Sequence, residues 1–241
     1  MTNPAHLIPR WFEVCLSVGG VIPMALEALQ RNGHNLCLGE FSLAGSYDIP
    51  KLMPTNLNDR IRWIPFNCVM SDRQREHHGA HFFIDDYLFQ RIWNDPHRYA
   101  RMLSDYQAVM TPDFSMYTDY PVAVQIYNHW RKHQLGAYWQ SLGMVVIPSI
   151  CWSDHESFDW CFDGEPIGGT VAVSSVGTQK NPQARMLFLD GYSEMMQRLE
   201  CVSKCKSAGI MQEEYGCKPD GRKRGSGKRA YRNGWRPFGT P

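Results

Sequence analysis

The chain has 241 residues, 43% hydrophobic and 12% aromatic, enough for one domain with a sizeable core. Its net charge of +1 conceals a division: residues 218–241 carry eight Lys or Arg against one Asp, whereas residues 1–217 carry 17 basic and 23 acidic side chains. A mildly acidic body excludes a uniformly basic nucleic-acid binder, and no run of 18 apolar residues is present to span a membrane.

The eight cysteines, at 15, 37, 68, 151, 161, 201, 205 and 217, are irregularly spaced. With no secretory leader pattern at the start, they read as reduced thiols, and the expected compartment is the cytoplasm, that of a host cell if a phage encodes the protein.

Residues 1–55 read as a loop-rich N-terminal segment. Val14–Gln30 has helical character broken early by Gly19, Gly20 and Pro23, and Gly33, Gly39, Gly45, Pro50 and Pro54 punctuate the stretch after it. Residues 56–217 then read as an α/β domain. Strands are expected at Ile61–Val69, His81–Ile84, Ala108–Met110, Met144–Ile147 and Gly169–Val173. Between them, Tyr87–Trp93 is expected to form one or two helical turns. Asn94-Asp95-Pro96 predicts a capped helix running to about Tyr106. Asp119-Tyr120-Pro121 opens the longest helix, ending near Gly143, and Asp154–Cys161 a short one. Asn181-Pro182 opens the last helix, with Tyr192, Met195, Met196 and Leu199 on one face. This alternation predicts a mostly parallel sheet of four to five strands with crossover helices, barrel-like or half-barrel in shape. Residues 218–241, rich in Gly, Lys and Arg, read as a basic disordered tail.

Residues from about 60 to 200 resemble an uncharacterised domain-of-unknown-function family of phages, plasmids and integrative mobile elements. The likeness rests on His81-Phe-Phe-Ile-Asp-Asp86, Thr111-Pro-Asp-Phe-Ser115, Pro121–Gln125, Tyr138-Trp-Gln140, Ile147-Pro148, Cys151-Trp152, Cys161-Phe-Asp-Gly164 and Gly191-Tyr192. The resemblance implies a mobile-element origin rather than a mechanism. Where that pattern has a late apolar strand, this chain has Cys201-Val-Ser-Lys-Cys-Lys206, a poor buried strand.

In parallel sheets, ligands bind outside the carboxyl ends of the strands. Those ends carry Asp85 and Asp86, then Asp113 and Ser115, then Ser149 to Asp154, then Ser174 and Ser175. Asp113, Asp86, Asp85 and Ser115 are therefore the catalytic candidates, with Asp113 first. Two or three such carboxylates can hold a divalent metal or act as an acid–base pair; they can equally cap a helix or brace a turn. No metal site is assigned. His77, His78 and His81 have suitable ligand chemistry in a polar stretch, and Cys201, Cys205 and Cys217 lack the paired spacing of a zinc ribbon. His129 and His133 are four apart on one helix face, which could clamp a metal, but Arg131 and Lys132 between them suggest an exposed face instead. Gln125, Asn128 and Gln140 likewise read as the wet face of that helix. P-loop, dinucleotide-fingerprint and serine-elbow motifs are absent.

The tail residues Arg222, Lys223, Arg224, Lys228, Arg229, Arg232 and Arg236 suit phosphate contact, with Tyr231, Trp235 and Phe238 interleaved for stacking on bases. Three readings remain open: an accessory protein touching DNA or RNA through its tail, a metal-assisted enzyme acting on a nucleotide or nucleic acid at the acidic rim, or a protein that docks a host target.

Overall fold

The computed structural model describes residues 38–57, 61–175, 178, 181–199 and 209–211. The expected helix at 14–30, the 201–206 segment, the basic tail and five of the cysteines lie outside these residues.

The described chain begins with an antiparallel hairpin of β1 (Leu43–Ala44) and β2 (Ile49–Pro50). A four-stranded sheet comes next: β3 (Arg62–Pro65), β4 (His78–His81), β5 (Ala108–Met110) and β6 (Val146–Ile147), every pair parallel. A second, three-stranded parallel sheet contains β7 (Ser149–Ile150), β8 (Ala172–Ser174) and β9 (Gly209–Met211). The α/β class with a mainly parallel sheet is thus what the chain adopts. Among the described residues strand order follows sequence order, with none of the reversals of a doubly wound sheet.

Pro148 explains why one extended stretch serves two sheets. It has no N–H to give to β5, and its carbonyl instead accepts from Ala172 N at 2.8 Å. The edge towards β5 is closed by a side chain. Ser149 N donates to Thr111 Oγ1 at 2.8 Å, and Ser149 Oγ donates to the Thr111 carbonyl at 2.7 Å.

Helix starts follow local chemistry. In α1 (Asp86–Phe89) and α2 (Arg91–Asn94), two short turns bury Phe89, Ile92 and Trp93. Asp95 caps α3 (Pro96–Leu103) by accepting from Arg98 N at 3.1 Å, with Pro96 at the first helical position. The long helix α4 spans Val122–Ser141. Asp154 caps a short 3₁₀ turn at His155–Asp159, and Asn181 caps α5 (Pro182–Arg198). The strand expected at His81–Ile84 lies earlier: pairing runs over His78–His81, and Phe82 and Phe83 come after it as buried loop residues.

Two packing groups stabilise the body. Phe66, Phe82, Phe89, Phe114 and Trp139 form one, with Phe82 stacked on Trp139 at 6.0 Å between ring centres. Ile150, Phe158, Trp160, Phe162, Val173, Phe188 and Met195 form the other. Gly191 of α5 faces the indole of Trp152 so closely that a Cβ there would clash with it. Among the described residues no helix is long and apolar enough to cross a membrane.

Candidate functional site

The expectation that α4 turns its polar residues to water is wrong. Gln125, Asn128, His129, Arg131, Lys132, His133 and Gln134 are all buried, while Val122, Val124 and Tyr127 are exposed. Burying so many polar groups is costly unless each finds a partner. Partners come from the 115–120 stretch, from Gln90, from Pro50 and Ser149 at strand ends, and from Asp163 and Glu165.

Lys132 is the centre. Its side chain is 1% exposed, and Nζ donates to Glu165 Oε1 at 2.7 Å and to the Ser149 carbonyl at 3.0 Å. Burial alone would strip the ammonium of its proton. Glu165 foremost, then Cys151 and Asp113, outweigh that and hold it charged. Burial would likewise raise the Glu165 carboxyl, but the Lys132 ammonium and the His133 ring beside it keep it below the usual carboxylate range.

Asp113, at the carboxyl end of β5, is partly exposed. Desolvation pushes its carboxyl up to about 7. Lys132 and a hydrogen bond from the Cys151 thiol pull against that rise, and Asp86 adds to it. The Cys151 thiol itself is pushed well above its usual value, by burial first, which makes it a hydrogen-bond donor rather than a nucleophile at neutral pH. Asp86 accepts from Ser115 Oγ at 2.8 Å and from Ser115 N at 3.0 Å; Asn128 Nδ2 donates to the Ser115 carbonyl at 2.6 Å. These contacts fix the turn that carries Asp113. Three of the four carboxyl-end candidates, Asp113, Asp86 and Ser115, thus form one linked group. Asp85 is exposed at the N-cap of α1, and its side chain makes no capping bond. Ser174 ends β8 and Ser175 is buried beyond it.

On the far side of Lys132 lie His129, His133 and Glu165. His133 bonds through Nδ1 to the Pro50 carbonyl at 2.8 Å and faces Glu165 Oε1 through Nε2 at 3.0 Å. His129 bonds through Nε2 to the Asp163 carbonyl at 3.0 Å. Gly164, at φ +75°, lets the loop pass this close: a Cβ there would lie 2.7 Å from the Pro50 carbonyl oxygen and 3.0 Å from His133 Nδ1.

The early histidines do not assemble. His77 is exposed, His78 bonds Asp72 at 2.8 Å, and His81 is fully buried, where desolvation lowers its ring to about 3. An open depression lined by Asp72, Arg73, Arg75, Glu76 and Asp105 lies at the amino ends of β4 and β5, the edge where parallel sheets do not usually bind ligands.

Sequence reasoning missed Lys132 and Glu165, and set His129 and His133 aside as part of an exposed face. The available signal was the misfit of α4, with Gln125, His129 and Lys132 on one stripe while Val122 and Val124 interrupt the polar side. Residues of the Thr111–Ser115, Cys151-Trp152 and Cys161–Gly164 motifs supply most of the cluster's surroundings.

Comparison with known proteins identifies the family. Residues 41–205 match the family described as domain of unknown function DUF4417. The chain is 38% identical over 167 residues to the Gene 1 protein of Mycobacterium phage L5, covering 66% of this chain and 70% of that protein. It is 38% identical over 165 residues to the Gene 1 protein of Mycobacterium phage D29, covering 66% of this chain and 59% of the relative. No solved structure shows a significant match. The chain therefore belongs to the DUF4417 family, an uncharacterised domain family found in phages.

Proposed function

We propose that the protein is an enzyme acting by proton transfer on a nucleotide or nucleic acid, with its reaction centre at Asp113, Lys132 and Cys151 on the carboxyl edge of the parallel sheet. The observation that carries this reading is a partly exposed aspartate within electrostatic reach of a fully buried ammonium at that edge. Packing alone gains nothing from such an arrangement, because buried ion groups are seldom net stabilising. Asp113 is the proton-transferring group, since its carboxyl changes state near neutrality. Lys132 supplies fixed positive charge for an anionic substrate or intermediate. Asp86 and Ser115 are positioning residues that hold the Asp113 turn. Arg222, Lys223, Arg224, Lys228, Arg229, Arg232 and Arg236 gather the polyanion, consistent with the excess of positive charge after residue 217.

The test offers the full-length protein nucleotides, single- and double-stranded DNA, and RNA, and follows products by mass spectrometry beside a gel-shift titration. Turnover lost in Asp113→Asn, with the shift retained, is the expected result. A shift without turnover on any of these substrates overturns the enzymatic half. Turnover unaffected by Asp113→Asn overturns the assignment of the centre, and the absence of a salt-sensitive shift overturns the role of the tail.

A further inference from the structure

The hydrogen bonds of His129 and His133 fix which ring nitrogen is free in each. A backbone carbonyl can only accept, so the contact to Asp163 O requires a proton on His129 Nε2, and the contact to Pro50 O requires one on His133 Nδ1. In the neutral rings the lone pairs are then on His129 Nδ1 and His133 Nε2. His129 Nδ1 is buried with no hydrogen-bond partner. His133 Nε2 faces an acceptor, Glu165 Oε1, at 3.0 Å. The other carboxylate oxygen, Glu165 Oε2, is also buried without a partner, on a side chain that is 0% exposed. Each of the three buried residues thus has a ligand atom to offer, and these atoms all lie within 4.8 Å of one another.

From this geometry we propose that His129, His133 and Glu165 bind a divalent first-row transition metal, at a site that adjoins the centre proposed at Asp113 through the Lys132–Glu165 ion pair. Three features fit. The rings sit at i and i+4 of α4, their centroids 4.4 Å apart, so one helix face presents both. Each ring is oriented by a carbonyl on its outer nitrogen, the usual support for a metal-bound imidazole. Two nitrogens and one carboxylate are the donor set of open zinc and non-haem iron centres, which leave a position for water or substrate. A metal bound through His129 Nδ1 and Glu165 Oε2 would give both of these unpartnered atoms a partner. Lys132 acts against binding, because its ammonium sits on the same carboxylate and repels a dication.

That opposition gives a discriminating experiment. Full-length protein is stripped with chelator, checked for fold by circular dichroism, and titrated with Co²⁺ followed by visible absorption, with Zn²⁺ as competitor. The expected outcome is one equivalent of tightly bound Co²⁺ displaced by Zn²⁺, and a thermal midpoint raised by either metal. His129→Ala and Glu165→Gln should each weaken binding by about tenfold or more. Lys132→Met should bind more tightly than the wild type, a gain that a purely structural role for these residues does not produce. His133 also braces Pro50, so Glu165→Gln, which keeps the side-chain shape, is the deciding loss variant. A folded protein that takes up no Co²⁺ overturns the proposal, as does binding of equal strength in Glu165→Gln and His129→Ala. In the first case a proton shared between His133 and Glu165 accounts for their contact.

Discussion

The Asp113 carboxyl keeps its proton in the folded protein up to about pH 7, against 3.8 for an ordinary aspartate. That difference sets the sign of its effect on stability. Below the unfolded value both states are protonated and the group is neutral in the balance. As pH rises towards 7 the unfolded chain releases its proton first, and stability is lost. Asp113→Asn should therefore raise the melting temperature at pH 8, by roughly 2–6 °C for a domain of this size, and leave it unchanged at pH 4. Differential scanning fluorimetry across that range checks it; an equal effect at both pH values would show that the carboxyl is not desolvated. A residue that weakens the fold while being central to the proposed reaction fits the usual opposition of stability and activity. Lys132 and Glu165 behave differently, because each compensates the other. Lys132→Met leaves the buried Glu165 carboxylate without its ammonium, at a cost of about 3–5 kcal/mol. Adding Glu165→Leu should recover part of that loss, so that urea unfolding of the two single variants and the double one gives a clearly non-additive cycle.

At the scale of elements, the junction between the two parallel sheets depends on one hydroxyl. Thr111 is fully buried and accepts the Ser149 N–H that Pro148 has turned away from the backbone ladder. Thr111→Val keeps the shape but strands that donor, and should cost about 1–3 kcal/mol in equilibrium unfolding; a neutral result would mean the junction is not held by this bond. Elements that depend on local chemistry are readable in the sequence. Asp95 before Pro96 and Asn181 before Pro182 cap their helices as expected, and Ala108–Met110 is a strand with the expected bounds. Helix α4 is legible as a helix but not in its orientation, because the rule that polar faces meet water assumes no buried partners for them. The position of Asp113 is legible because the strand before it has the expected bounds. Glu165 is not: it lies 33 residues from Lys132, and only folding makes them neighbours. A helix whose polar stripe is buried is the kind of local inconsistency that marks a functional site.

Across the whole molecule, strands laid down in sequence order carry residues from β5, α4, β7 and the 161–165 loop to one polar cluster, while the positive charge of the chain is concentrated after residue 217. Replacing Arg222, Lys223, Arg224, Lys228, Arg229, Arg232 and Arg236 by Gln takes the net charge from +1 to −6. An acidic protein of that kind repels nucleic acid, so the variant should lose its gel shift at every salt concentration while its melting temperature stays unchanged. For the wild type, counterion release sets the form of the binding curve. Seven phosphate contacts on single strands give a plot of log affinity against log salt no steeper than about −5. A shallower slope would mean that only some of the seven side chains reach phosphate, with the aromatic residues Tyr231, Trp235 and Phe238 carrying more of the affinity through stacking, which salt affects little. A steeper slope would require basic residues of the body to join in, and the exposed Arg73 and Arg91 are the first to replace.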